Sequence, residues 1–382
     1  MAHYKMSDVV IEVNERENNP ANSKYDRFVG LEHYVSGDVI IRNYGSTERL
    51  ESTMKVFQAG DILVARRNVY LKRASTVDFG GLTSGDSIVL RAKDPELGRI
   101  LPFVLNTDAF WDFADQYSDG TMSKRLSPKT LMTFEFDLPD GEELSKLADI
   151  LWAANDTRES YQALLKHSDE LVKSQFIELF KGGRYPIVKA QDVCHFITKG
   201  TTPKADEIFA KPFEKCIPYL KVYNLSFDGS MLFFEEPQYI DRTIHESKLA
   251  RSKVYPNDVL MNIVGPPLGK FALVNNDFPE WNINQAIAIF RAREAVHPQF
   301  LLYALMQPDV LGPFLDQAQG VRQLNFSLEQ CRNLEFPLPP MNEQLNFVAF
   351  VEQLDKSKFE LKQAIANTSE LMKSLIQQDF IN

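Results

Sequence analysis

Apolar residues recur every three or four positions along two long stretches of this chain. From Glu142 to Phe180 there is neither Gly nor Pro, and Leu144, Leu147, Leu151, Ala154, Tyr161, Leu165, Val172 and Leu179 trace one face of a helix. Asp140 followed by Glu143 is a capping-box pattern, and Gly182-Gly183 supply a stop. The stretch from Met341 to Phe380 carries the same stripe at Phe347, Val351, Leu354, Leu361, Ile365, Met372 and Leu375, with Pro337, Pro339 and Pro340 fixing its start. A helix of about 39 residues is roughly 58 Å long at 1.5 Å per residue. That is more stripe than a small domain can cover, so the spacing predicts two helices that bury their stripes on each other.

The remaining blocks show short β-type runs bounded by Gly, Pro, Asn or Asp. They are Val35 to Arg42, Asp61 to Ala65, Ser87 to Arg91 and Thr133 to Leu138, then Ile217 to Val222, Asp258 to Ile263, Ala286 to Arg291 and Asn333 to Leu338. A helical pattern, Ile100 to Tyr117 and Gln299 to Gln319, sits between the last two runs of each block. No strict βαβ alternation appears, so the pattern predicts an α+β fold.

The two halves also match each other. Gly120 repeats as Gly320, Ser127 as Ser327, Phe136-Asp137-Leu138-Pro139 as Phe336-Pro337-Leu338-Pro339, and Glu170-Leu171-Val172-Lys173-Ser174 as Glu370-Leu371-Met372-Lys373-Ser374, all at a shift of 200. The repeat divides the chain into a globular domain over 1–140, a helix over 141–182, a second globular domain over 183–339 and a second helix over 340–382. Two like units related by a two-fold axis perpendicular to the helices place those helices antiparallel. Such a pseudo-two-fold monomer suits a target that itself has two halves, duplex DNA being the commonest.

Composition changes this picture little. With 382 residues, 44% hydrophobic and 25% charged, the chain can build two cores. It has no apolar run long enough for a membrane span and no signal peptide at Met1-Ala2-His3-Tyr4-Lys5, so a cytoplasmic location without membrane contact is expected. Cys194, Cys216 and Cys331 lack CxxC spacing and predict neither disulfide nor zinc.

Net charge of −10 has the wrong sign for a simple nucleic-acid binder. The excess is uneven, however: the first helix holds eight acids against four bases and the second six against four, so the globular blocks are closer to neutral. Arg66, Arg67, Asn68, Tyr70, Lys72 and Arg73 form a basic octet free of acids, with side chains suited to phosphates and base edges. Lys124 and Arg125 follow Gly120 in the same block, as Arg322, Gln323 and Asn325 follow Gly320 in the other. In the second block Lys199, Thr201, Thr202 and Lys204 make a polar, basic turn, and Asn262 to Lys270 a Gly/Pro loop. Asn282, Asn284 and Gln285 place carboxamides together, the groups best suited to read adenine. Turn chemistry is the competing reading of each.

Catalytic chemistry is not legible. The nearest approach to the motif that holds a flipped base is Gly265-Pro266-Pro267-Leu268, which lacks the polar head and the aromatic, and no glycine-rich cofactor loop or metal-placing carboxylate cluster is evident. The histidines, His245 among them, are scattered in sequence.

Taken in order, Lys199-Gly200-Thr201-Thr202-Pro203, Ile217-Pro218-Tyr219-Leu220-Lys221-Val222 with Asp228-Gly229, Asp258-Val259-Leu260 with Gly265 and Gly269-Lys270, Asn284-Gln285, and Pro337-Leu338-Pro339-Pro340 before Glu343-Gln344 resemble the specificity subunits of bacterial type I restriction-modification systems. The first block departs from the pattern, with Ser84-Gly85 where Asn284-Gln285 stand. The resemblance implies two target-recognition domains, joined by an antiparallel coiled coil, that each read half of a split, asymmetric DNA sequence. It implies that the helices set the unread spacer, that the chain is not an enzyme and binds no cofactor or metal, and that it assembles with two modification subunits and with restriction subunits. The modification subunits would hold S-adenosylmethionine and methylate adenine. A stand-alone DNA methyltransferase without recognisable motifs and a coiled-coil protein-interaction adaptor are the alternatives.

Overall fold

The structure, a computed structural model, describes residues 2–120, 123–317 and 324–380. It separates into two compact units, Met1–Gln162 with Lys362–Asn382, and Ala163–Leu361. Each long helix, Gly141–Phe180 and Met341–Phe380, therefore contributes one part to each unit.

In the first unit a four-stranded antiparallel sheet runs Val10–Glu12, Ser87–Ala92, Ile62–Ala65, Ala74–Thr76. A five-stranded sheet runs Arg16–Glu17, Met54–Phe57, Gly81–Thr83, Arg27–Val29, Gly45–Ser46, with its one parallel pairing between Arg27–Val29 and Gly81–Thr83. The second unit repeats this plan. Its four strands are Cys194–Lys199, Ile287–Ala292, Val259–Asn262 and Phe271–Leu273, and its five are Ile208–Phe209, Tyr239–Asp241, Cys216–Leu220, Trp281–Ile283 and Lys253–Val254, again with one parallel pair. A two-stranded ribbon ties each unit to the start of its helix: Ala2–Lys5 on Glu135–Leu138, and Ile187–Lys189 on Glu335–Pro337.

Strand runs with both faces covered read as continuous apolar stretches because no position faces water. Ile62 to Ala65 and Ile287 to Phe290 are buried throughout. Each sheet pins one carboxylate at its edge: Asp61, 1% exposed, takes Arg91 through Nε at 2.7 Å and NH2 at 2.8 Å, and Asp258, 2% exposed, takes Arg291 through both at 2.7 Å. The repeated, fork-like pairing gives the buried charge its partner.

The helices pack antiparallel, which is visible inside each unit separately. In the first, Leu144, Leu147, Ala148 and Leu151 share a core with Met372 and Ile376; in the second, Val172, Phe176 and Phe180 share one with Phe347, Val348 and Val351. Both clusters include residues of the globular part, among them Phe103 and Leu138 in the first and Phe300 and Phe336 in the second. The stripe is thus deepest where helix and domain meet. Ala154, Tyr161, Leu165, Leu354, Leu361 and Ile365 are only half-buried, and Leu179 is exposed.

Three expected elements differ. Val35 to Arg42 is not a strand: the chain turns at Gly37, whose φ of +78° breaks an extended run, and Asp38 N–H closes on Val35 O at 3.2 Å. Ile100 to Tyr117 is two helices, Pro95–Val104 and Asp108–Gln116, because Thr107 caps the second by accepting from Phe110 N at 3.2 Å. Gln299 to Gln319 divides likewise into Pro298–Leu305 and Pro308–Gln317, with a proline opening each.

Candidate nucleic-acid interface

In the first unit the chain leaves strand Ile62–Ala65 into the basic octet, where Asn68 at φ 56° and Lys72 at φ 46° bracket the short 3-10 turn Val69–Leu71. Left-handed backbone suits Asn and strains Lys. Arg66 Nε donates to Leu126 O at 3.1 Å and Arg67 Nε to Ser123 Oγ at 3.2 Å, while Ser123 Oγ donates to Asn68 Oδ1 at 2.9 Å. Asp86 takes Arg125 at 2.6 Å and lies 3.8 Å from Arg67. The structure therefore brings the octet, Ser84 and Lys124-Arg125 onto one junction of three segments.

Within it the bases divide by role. Arg73 turns inward, donating to Leu31 O at 2.9 Å and Arg67 O at 3.1 Å, and Arg66 likewise ties its loop to residue 126. Lys72 pairs with Asp108 at 2.6 Å, and this hydrogen bond holds the Asp108 carboxyl below its ordinary range. Lys124 pairs with Asp115 at 2.6 Å. Tyr70 at 63% exposure, Arg67 and Arg125 face solvent.

The second unit builds the same junction from other residues. Arg66 N–H donates to Asp86 O at 2.9 Å and Leu126 N–H to Arg66 O at 2.8 Å; correspondingly, Ile263 N–H donates to Ala286 O and Phe326 N–H to Ile263 O, both at 2.8 Å. Ser84 Oγ accepts from Asp86 N at 3.3 Å, as Asn284 Oδ1 accepts from Ala286 N at 3.1 Å. Asn284 thus spends its carbonyl oxygen on a turn, whereas the Gln285 side chain is exposed and its backbone N–H rests on Thr202 Oγ1 at 3.3 Å. Gly200 is required here, because a Cβ would lie 2.1 Å from Asn284 O. Thr201 Oγ1 accepts from Arg251 Nε at 3.0 Å and Ser252 Oγ at 3.1 Å. Lys199 and Lys204 are exposed, Lys221 reaches Gln238 at 3.5 Å, and Lys270 stands over Phe227 at 5.7 Å. Asn325 is exposed and pairs with Val264, whereas Arg322 and Gln323 lie outside the described residues.

Two of the sequence candidates are interior. Asn262 is fully buried and clamps the Gly/Pro loop, donating to Pro267 O at 2.7 Å and accepting from Lys270 N at 2.7 Å. Asn282 is fully buried as well, with Nδ2 3.0 Å from His245 Nδ1 and 3.2 Å from Leu249 O. Neither carboxamide can reach a base edge from there.

Sequence reasoning missed Asp86, Arg251 and Phe227, which hold or flank the reading loops; each is ordinary in sequence and acquires its place only from chain crossings. It also scattered His245, which the fold sets beside Glu246 and Glu280. Because Asn282 Nδ2 donates to His245 Nδ1, the proton of the ring sits on Nε2, 3.3 Å from Glu280. Burial, aided by Lys253, pulls His245 below its usual pKa against Glu280 and Glu246. The carboxylates are already paired with Lys253 and with Arg242, the latter at 3.5 Å. These residues form an ion-pair network in which two carboxylates already face two cations.

Residues 184–370 match the family model of the type I restriction modification DNA specificity domain. The chain is 31% identical over 137 residues to the type I restriction enzyme EcoBI specificity subunit of Escherichia coli, a match covering 34% of this chain and 28% of that protein. Two solved structures share the fold over nearly all of both chains. One, from a study of complex assembly and conformational transition of the type I R-M system, has a TM-score of 0.55 at 19% identity, covering 99% of this chain and 97% of its own. The other, a type I restriction-modification S subunit from M. genitalium, has a TM-score of 0.53 at 13% identity, covering 100% and 96%. No helix among the described residues is long and apolar enough to cross a membrane.

Proposed function

We propose that the chain is a type I restriction-modification DNA specificity subunit, as the match of residues 184–370 to that family model supports, and that it reads a bipartite, asymmetric sequence in duplex DNA, one half with each unit. The observation that carries this reading is the repeated junction: the same backbone hydrogen bonds present Arg67, Tyr70, Lys124 and Arg125 in one unit and Gln285, Lys199, Lys204 and Lys270 in the other. One scaffold with two side-chain sets is what two different half-sites require. The first junction gathers six bases, Arg66 and Arg73 among them tied to backbone carbonyls, against Asp86, Asp108 and Asp115, so phosphate attraction survives the overall negative charge.

The chain itself acts as a reader and scaffold. Two modification subunits supply S-adenosylmethionine and adenine methylation, and restriction subunits supply cleavage, in the assembly this reading calls for. Its globular parts, 1–140 and 183–339, are the target-recognition domains, and 141–182 and 340–382 are the spacer helices. Mapping methylated adenines in a genome carrying this system tests the proposal: one split motif with two unlike halves is expected. A contiguous or palindromic motif that depends on this chain overturns it.

A further inference from the structure

Arg251 is tied to the second reading loop through one nitrogen and presents the rest of its guanidinium to solvent. It lies on the short 3-10 turn Ala250–Ser252, and Thr201 Oγ1 accepts from Arg251 Nε at 3.0 Å and from Ser252 Oγ at 3.1 Å. The next residue, Thr202, holds Gln285 N–H through its own Oγ1 at 3.3 Å. Two adjacent threonines therefore join Arg251 to Gln285, the exposed carboxamide of this surface.

The support beneath Arg251 is interior. Ser252 and Leu249 are fully buried, Ser252 N–H closes on Leu249 O at 2.9 Å, and the same carbonyl accepts from the buried Asn282 Nδ2 at 3.2 Å. Above that support the Arg251 side chain is exposed, and among the described residues its NH1 and NH2 have no partner. Arg67 and Arg125 at the first junction both face Asp86 instead. Glu207, in the segment that follows Thr202, is already occupied, by Lys248 at 2.7 Å and by Lys204 N–H at 2.6 Å. A mobile cation meets a phosphate from many directions. A guanidinium fixed at Nε offers NH1 and NH2 in one plane, the geometry that takes guanine O6 and N7 together.

We propose that Arg251 reads a guanine in the half-site of the second unit. The inference rests on the reading of that unit as DNA-recognising and adds a named base to it. In cells carrying the whole system, Arg251→Gln should lower the preference of methylation for one G·C pair at least about tenfold, with the other half-site and the melting temperature of the chain as in the parent. Arg251→Lys keeps the charge without the planar fork and should relax the same position. A Lys variant with the parent's motif, beside a Gln variant weakened uniformly on all sites, means a phosphate contact and overturns the proposal. A lower melting temperature with an unchanged motif makes Arg251 a staple of the Thr201 turn and overturns it too. Duplexes in which 7-deazaguanine replaces each guanine of the motif in turn lack the N7 acceptor. The purified assembly with its modification subunits should bind one of them about tenfold more weakly, and that sensitivity should vanish in either variant, so the question is decided even if one of the two fails to fold. Sensitivity at no position, or at the same position in parent and variants alike, overturns the proposal while the bipartite reading stands. A parent that methylates no split motif removes both.

Discussion

Single residues divide between those that hold the reading loops and those available to read, and burial makes the division. Asn282 and Gln285 stand three positions apart in a run that looks uniform in sequence, yet one carboxamide is interior and the other exposed. Asn282→Ala should cost roughly 1–3 kcal/mol in urea denaturation by orphaning its partners, with base preference unchanged. Gln285→Ala should leave stability alone and relax one base pair of the methylated motif, by roughly 1–3 kcal/mol if it pairs bidentately; a stability loss with an unchanged motif would return it to turn chemistry. Arg291→Ala strands the buried Asp258 carboxylate, and a loss of about 3–5 kcal/mol is expected. His245 adds a pH dependence. Its folded pKa lies below the unfolded value of about 6.5, so the unfolded chain takes up the proton first as pH falls. The stability is present above that value and is lost below it. Melting temperature should therefore drop from pH 7 to pH 5 and drop less in His245→Gln; equal slopes would remove His245 as the cause.

Elements were legible wherever one physical rule governed a whole segment. The 3–4 stripe and absence of Gly and Pro found both long helices, and the strands buried on both faces, such as Ile62–Ala65, announce themselves as apolar runs. The short edge strands did not: Ala2–Lys5 and Ile187–Lys189 are strands because Glu135–Leu138 and Glu335–Pro337 lie alongside, and partners more than a hundred residues away leave no local trace. The reading junction failed for the same reason in part. Basic and carboxamide residues could be nominated by type, but their burial depends on which segments cross, as Asn262 shows. Helix burial is likewise set by tertiary packing, since the stripe is deepest where a domain adds its own side chains. Leu151→Asp, fully buried in the first unit's core, should therefore destabilise by several kcal/mol. The same change at half-buried Leu165 should cost much less. Equal losses in chemical denaturation would show that the helix pair alone, without the domains, determines the seam.

At the scale of the whole molecule, the proposed function gives the helices a length to set. Each long helix runs 40 residues without interruption and leaves one compact unit for the other at the boundaries 162/163 and 361/362. Seven residues added to both helices at those boundaries preserve the stripe, because the seam repeats every seven. They lengthen each helix by about 10 Å, which is about three base pairs at roughly 3.4 Å per step. Adding to one helix alone would instead slide its stripe against the other and expose apolar residues. The paired insertion should therefore yield an active reader whose two half-sites are unchanged and whose unread spacer is longer by about three base pairs, measured by methylation sequencing of cells carrying the altered gene. The half-sites should persist because neither junction is touched: the nearest inserted residue falls well outside the segments 66–73, 84–86, 123–126, 199–204, 263–270 and 284–286. An unaltered spacer with normal methylation would mean that something other than helix length fixes the gap, and the spacer role of the helices would have to be given up while the two reading surfaces stood.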